Sequence, residues 1–90
     1  MEKTIISVVG KDAVGIIAGV CTELANLEVN ILDINQTVMD GFFVMNMLVD
    51  LSTSTKSYDL VRDSLDAKGV QMGLTIRIQR EDIFNAMHRI

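Results

Sequence analysis

Apolar residues in this chain recur with two alternating periods, and the switches between them mark its elements. Residues 3–9 are apolar on both faces except at Ser7 and rich in Val and Ile, which predicts an interior strand. Over residues 15–27, Ile16, Ile17, Val20, Leu24 and Leu27 recur at three- and four-residue spacing, one stripe of an amphipathic helix. Cys21 borders that stripe as a small hydrophobe. Gly19 costs about 1 kcal/mol of helix propensity against alanine, so close packing against the sheet or a partner is expected there.

Period two returns over 29–38, with Leu32, Ile34 and Val38 on one face and Asp33, Asn35 and Thr37 on the other, Gln36 interrupting the apolar side. Such a strand has one face that is wet or meets a partner. Met39-Asp40-Gly41 carries the Asp-Gly signal of a hairpin turn. Residues 42–51 place Phe43, Met45, Met47, Val49 and Leu51 on one face and Phe42, Val44 and Leu48 on the other, as a central strand does. After a polar loop at 52–55, Tyr58, Val61 and Leu65 predict a helix over 56–68 with Gly69 just past its end. Val70, Met72, Leu74, Ile76 and Ile78 then alternate with polar residues or glycine, a strand over 70–79. Ile83, Met87 and Ile90, with Phe84 beside them, predict a short helix over 81–89. Glu81 and Asp82 open it and His88 and Arg89 close it, each at the favourable end of the dipole. So short a helix must dock on something.

The order β-α-β-β-α-β predicts an α+β, ferredoxin-like sandwich. Right-handed crossovers place two helices on one face of a four-stranded antiparallel sheet of order 4-1-3-2, with the short C-terminal helix added. There is no proline and no linker, so residues 1–90 are read as a single domain.

Composition adds a partner to that picture. Hydrophobic residues make up 49% of the chain and mean hydropathy is +0.33. A domain of this size buries about 60–65% of its surface, so the apolar excess is expected to form an interface, as a homodimer or higher homo-oligomer. A net charge of −4 gains nothing from counterion release, which argues against nucleic acid. Gly41-Phe42-Phe43-Val44 is a faint echo of an RNA-recognition strand, but residues 4–9 carry no aromatic on which a base could stack. The single cysteine leaves no intramolecular disulfide and no CxxC metal site, of the heavy-metal-chaperone kind or any other, and fits a reducing compartment. The longest apolar runs, near 16–21 and 42–49, are too short for a membrane span, and no signal peptide is evident. A cytoplasmic location without membrane contact is expected. His88 stands alone, and Asp33, Asp40 and Asp50 are scattered, so no catalytic pair, metal site or cofactor motif emerges.

The candidate chemistry lies in Gly10-Lys11-Asp12-Ala13-Val14-Gly15. Asp12 suits a helix N-cap, Gly15 lets a backbone or ligand come close, and the N–H groups of a helix start suit a carboxylate or phosphate. By itself this reads equally as a capped βα turn. The turn with Ile16-Ile17-Ala18, followed by Asn30-Ile31-Leu32-Asp33-Ile34-Asn35-Gln36, resembles the ACT domain, with its G-K-D-x-x-G-I turn and N-I-x-x-I-x-Q strand. The resemblance covers the chain in element order. It is strongest to the small stand-alone ACT-domain proteins of bacteria and archaea, and extends to the ACT half of glycine-cleavage regulatory proteins. It implies a non-catalytic regulatory module that binds a small ligand, typically an amino acid, between subunits. Carried over by position, the site comprises Asp12, the turn backbone at Val14, Gly15 and Ile16, and Asn30. Helix-start N–H groups would take the ligand carboxylate, Asp12 its ammonium, and Asn30 could bridge both. Asp12 as a cap only, and Asn30 as a turn residue before a strand, remain open readings. Val14 departs from the pattern, since many members carry proline there, which would preset the start of the helix. The alternative function is a structural module that pairs with another protein and binds no metabolite.

Overall fold

Two strands organise the sheet. The first, β1 (Lys3–Lys11), lies antiparallel to β3 (Phe42–Asp50), and both are interior. The computed structural model describes residues 3–11 and 15–80. On the outer side of β3 runs β2 (Asn30–Met39), and on the outer side of β1 runs β4 (Thr75–Arg80). The order β2-β3-β1-β4 is the expected 4-1-3-2. Two helices, α1 (Ile16–Asn26) and α2 (Tyr58–Met72), connect the parallel pairs. Their buried residues join those of the sheet in one core, with Ile6, Val8, Met45, Met47 and Val49 from the strands and Val20, Leu24, Val61 and Leu65 from the helices. Period two thus supplies one side of the core and period 3.6 the other. The expected helix over 81–89 lies outside the described residues.

The hairpin between β2 and β3 follows its sequence. Asp40 and Gly41 both take positive φ, at 53° and 82°, so Met39 pairs directly with Phe42 across a two-residue turn.

Three details differ from the sequence expectation. Ile17 is exposed, because it sits about 100° round the helix from Ile16, whose side chain takes the core position. In β2 a register shift between Ile31 and Asp33 breaks strict alternation. Ile31 and Ile34 thereby oppose the core residues Val49 and Met47, as a bulge requires. The largest difference is at the end of α2. Gly69 does not end the helix, which continues to Met72, and Gly73 at φ 72° takes the left-handed cap. There the Leu74 N–H returns to the Gly69 carbonyl at 2.7 Å, one of the bonds that close a helix C-terminus. Val70, expected inside a strand, is 85% exposed on the helix.

Both mid-helix glycines mark close approaches. A Cβ on Gly69 would lie 2.9 Å from the Leu74 carbonyl oxygen and 3.3 Å from Ile76, so α2 is seated against β4. A Cβ on Gly19 would meet the Met72 side chain at 2.7 Å, so α1 packs beside α2. With α2 over β4, α1 takes the β2 side of the sheet.

Candidate functional site

The turn that joins β1 to α1 is anchored at both ends. Gly10 and Lys11 pair with Phe43 and Phe42, and a Cβ on Gly10 would strike the Leu74 side chain. Gly15 occupies the N-cap position of α1 at φ 88° and ψ 2°, and its carbonyl accepts the Gly19 N–H at 2.8 Å. That cap position was expected to fall to Asp12. Asp12 and Val14, both expected site residues, lie outside the described residues.

Among the described residues, a Cβ built on Gly15 would find nothing within 4 Å. None of them crowds Gly15, while φ 88° excludes most side chains on conformational grounds. Ile16 buries its side chain, at 3% exposure, so what it can offer a ligand is its backbone N–H. The first turn of α1 carries no acidic residue to compete for the positive end of the dipole.

The residues that lead into Asn30 are anchored by the polar loop at 52–55. The Ser54 hydroxyl donates to the Leu27 carbonyl at 2.6 Å, and the Thr53 hydroxyl to the Glu28 carbonyl at 3.0 Å. Glu28 takes φ 63°, and the Val29 N–H bonds the Leu24 carbonyl at 3.0 Å. Hydrogen bonding from Thr55 holds the Glu28 carboxyl below its ordinary range. The signal in the sequence was the run Ser52-Thr53-Ser54-Thr55, of which the Thr53 and Ser54 hydroxyls satisfy carbonyls left open after the helix.

The structure does not bring Asn30 to the turn within one chain. Asn30 pairs with Asp50, at one end of β3, while Lys11 pairs with Phe42 at the other. Eight residues of strand separate those two ends, or about 27 Å at the antiparallel rise. The crossover makes β1 and β2 parallel, so the end of β1 and the start of β2 must lie at opposite ends of the sheet.

Among the described residues, no group of three or more His, Cys, Asp or Glu side chains converges as a metal site. No described helix is long and apolar enough to cross a membrane. A groove of about 370 Å³ between α2 and β4 is lined by Arg62, Asp66 and Arg77. The Arg62 guanidinium there is pushed above its ordinary value, first by the Asp63 carboxylate it contacts and then by Asp59.

The βαββαβ sandwich, with Gly15 in the left-handed region at the start of α1, defines the class of fold as ferredoxin-like. The family model for the ACT domain matches residues 2–79, and the chain belongs to that family, one of regulatory ligand-binding modules. A UPF0237 protein of Clostridium acetobutylicum is 56% identical over 88 residues, covering 98% of this chain and 99% of the relative. The structure of an ACT domain protein from Streptococcus pneumoniae superposes with a TM-score of 0.82 at 42% identity, over 92% of this chain and 93% of that one. A candidate glycine cleavage system transcriptional repressor is also similar, with a TM-score of 0.74 at 25% identity, over 88% of this chain and 45% of the other.

Proposed function

We propose that this protein is a non-catalytic, cytoplasmic regulatory module that binds an amino acid across a two-fold interface built by β2. The observation that carries this is the separation of Asn30 from the turn. A two-fold axis normal to the sheet, beside β2, pairs the two β2 strands antiparallel and turns one protomer end for end. The partner's Asn30 then comes to the end of the sheet where the turn lies. Because α1 occupies the β2 side, its N-terminus faces that interface. Asp12 and the backbone of Val14, Gly15 and Ile16 from one subunit, with Asn30 of the partner subunit, complete one site, and the symmetry makes two.

The edge itself supports such pairing. β2 is ten residues long and contains one charge, Asp33, and no lysine or proline to block edge-to-edge association. Ile34 is 40% exposed and Val38 58%. The same edge, with Met39 and Phe42 exposed at the hairpin tip, also suits a protein partner, which is the second reading.

A thermal-shift screen against the twenty amino acids separates the two. A ligand at 100 times its Kd stabilises by about 2.7 kcal/mol, a rise of about 10 °C or more for a domain of this size. The expected result is a selective rise with one or a few amino acids, lost in Asn30→Ala. No rise with any of them would refute the amino-acid reading and leave the protein-partner one.

A further inference from the structure

The sheet has two edges of opposite character. The β2 edge carries one acidic residue, Asp33, and no basic one. The β4 edge carries Arg77 and Arg80 and no acidic residue, in a chain whose net charge is −4. Among the described residues β4 pairs only with β1, so a row of its backbone groups faces outward. α2 runs alongside it in the opposite direction. The Tyr58 hydroxyl, at the start of the helix, donates to the Ile78 carbonyl at 3.2 Å, and Gly69, near its end, is seated against Leu74 and Ile76. The groove of about 370 Å³ between the two elements is lined by four consecutive strand residues, 75–78, and by Arg62 and Asp66 of the helix. Its strand side has two faces. Ile76 and Ile78 turn towards the core beneath α2, and Thr75 and Arg77 alternate with them on the open face. Arg77 is exposed, and no ion pair engages it among the described residues.

We infer that the β4 edge is a docking groove for an extended segment of another protein, acidic at every second position and apolar between, which joins the sheet as a fifth strand. Successive side chains of an added strand point to opposite faces. One set lies beside Arg77 on the open face, and the other lies beside Ile78 under α2. Opposite charges on neighbouring strands attract and like charges repel, so the acidic set belongs with Arg77. The α2 side excludes it. Arg62 there is already held by Asp59 and Asp63, and Asp66 repels an acid, so an apolar residue fits. Main-chain hydrogen bonds supply the affinity and these alternating contacts the specificity. The net charge of the chain is screened beyond about 8 Å at physiological salt, which leaves the local sign at the edge to decide. A second copy of this chain is a poor occupant, because β4 laid against β4 brings arginines towards arginines. The groove lies across the sheet from β2, so it is accessible in a single copy and in a β2-paired dimer alike.

A fluorescein-labelled hexapeptide of alternating valine and glutamate, titrated with the full chain and followed by anisotropy, tests this. Saturable binding is expected, with the amide signals of residues 75–78 shifting in two-dimensional NMR. Arg77→Glu should weaken that binding about tenfold, and should strengthen binding of the valine–lysine counterpart by a similar factor. Circular dichroism verifies that the variant keeps its fold. Two further peptides carry N-methyl groups at all valine or at all glutamate backbone nitrogens. They keep every charge, and one of them, which loses the strand hydrogen bonds, should bind at least tenfold more weakly. No binding of the valine–glutamate peptide, or binding that Arg77→Glu leaves unchanged, would overturn the inference. Equal binding of all three acidic peptides would overturn it too, since charge attraction alone would then account for the contact. A self-association that Arg77→Glu abolishes would make a second copy the occupant and would also overturn it.

Discussion

Gly69→Val is expected to cost about 3 kcal/mol, lowering the melting temperature by about 12–20 °C. The first atom a Cβ meets is the Leu74 carbonyl oxygen, at 2.9 Å, followed by Ile76 at 3.3 Å. Backbone in a cap cannot swing aside as a side-chain terminus can, so α2 must lift from β4. Gly69→Ala meets the same oxygen, and its gain of about 1 kcal/mol in helix propensity only partly offsets the clash. Gly19→Ala is the control. Its Cβ meets the Met72 terminus, which can rotate away, so the propensity gain leaves it neutral or slightly stabilising. Urea unfolding of the three variants checks this, and equal losses for Gly19→Ala and Gly69→Ala would contradict the seating of α2.

The second large effect concerns assembly rather than stability. The double variant Ile34→Lys with Val38→Lys should weaken β2 pairing by about 100- to 1,000-fold, or about 3–4 kcal/mol. Each lysine removes an apolar contact worth about 1–2 kcal/mol, and the two-fold axis sets like charges against one another. Both positions are exposed in the protomer, so the fold should persist. Dilution experiments by sedimentation would show the loss, and a dimer of unchanged affinity would move the interface elsewhere. Ligand stabilisation should vanish with the dimer, since each site needs both chains.

Much of this could be read from the residues. The switch between periods gave the element order, and with it the strand order and both central strands. The motif running from Gly10 to Ile16 and from Asn30 to Gln36 pointed to the ACT family. The end of α2 was lost because Val70, Met72 and Leu74 happen to continue the alternation of Ile76 and Ile78. Gly69 looked like a stop because a glycine that ends a helix and one that admits a strand beneath it are the same letter. Gly73, three residues before Ile76, was the real terminator. The bulge in β2 left no local signal, since it arises from pairing with β3. The candidate residues could be named from the sequence, but not where Asn30 stands relative to the turn. Asn30 follows the turn by fifteen residues of chain, yet the crossover through α1 puts it at the far end of the sheet.

A mixing experiment tests that division most directly, using whichever amino acid raises the melting temperature in the screen. Asn30→Ala removes the partner's contribution. Gly15→Asn places at the start of α1 a side chain that tolerates positive φ. Each variant alone should bind nothing. After the two are unfolded together and refolded, half the dimers are hybrids, and each hybrid holds one intact site and one doubly altered site. About a quarter of all sites should therefore recover, as isologous pairing requires, and isothermal titration would count them. Recovery near that fraction is the predicted result; none at all would mean that Asn30 and the Gly15 turn do not share a site between subunits.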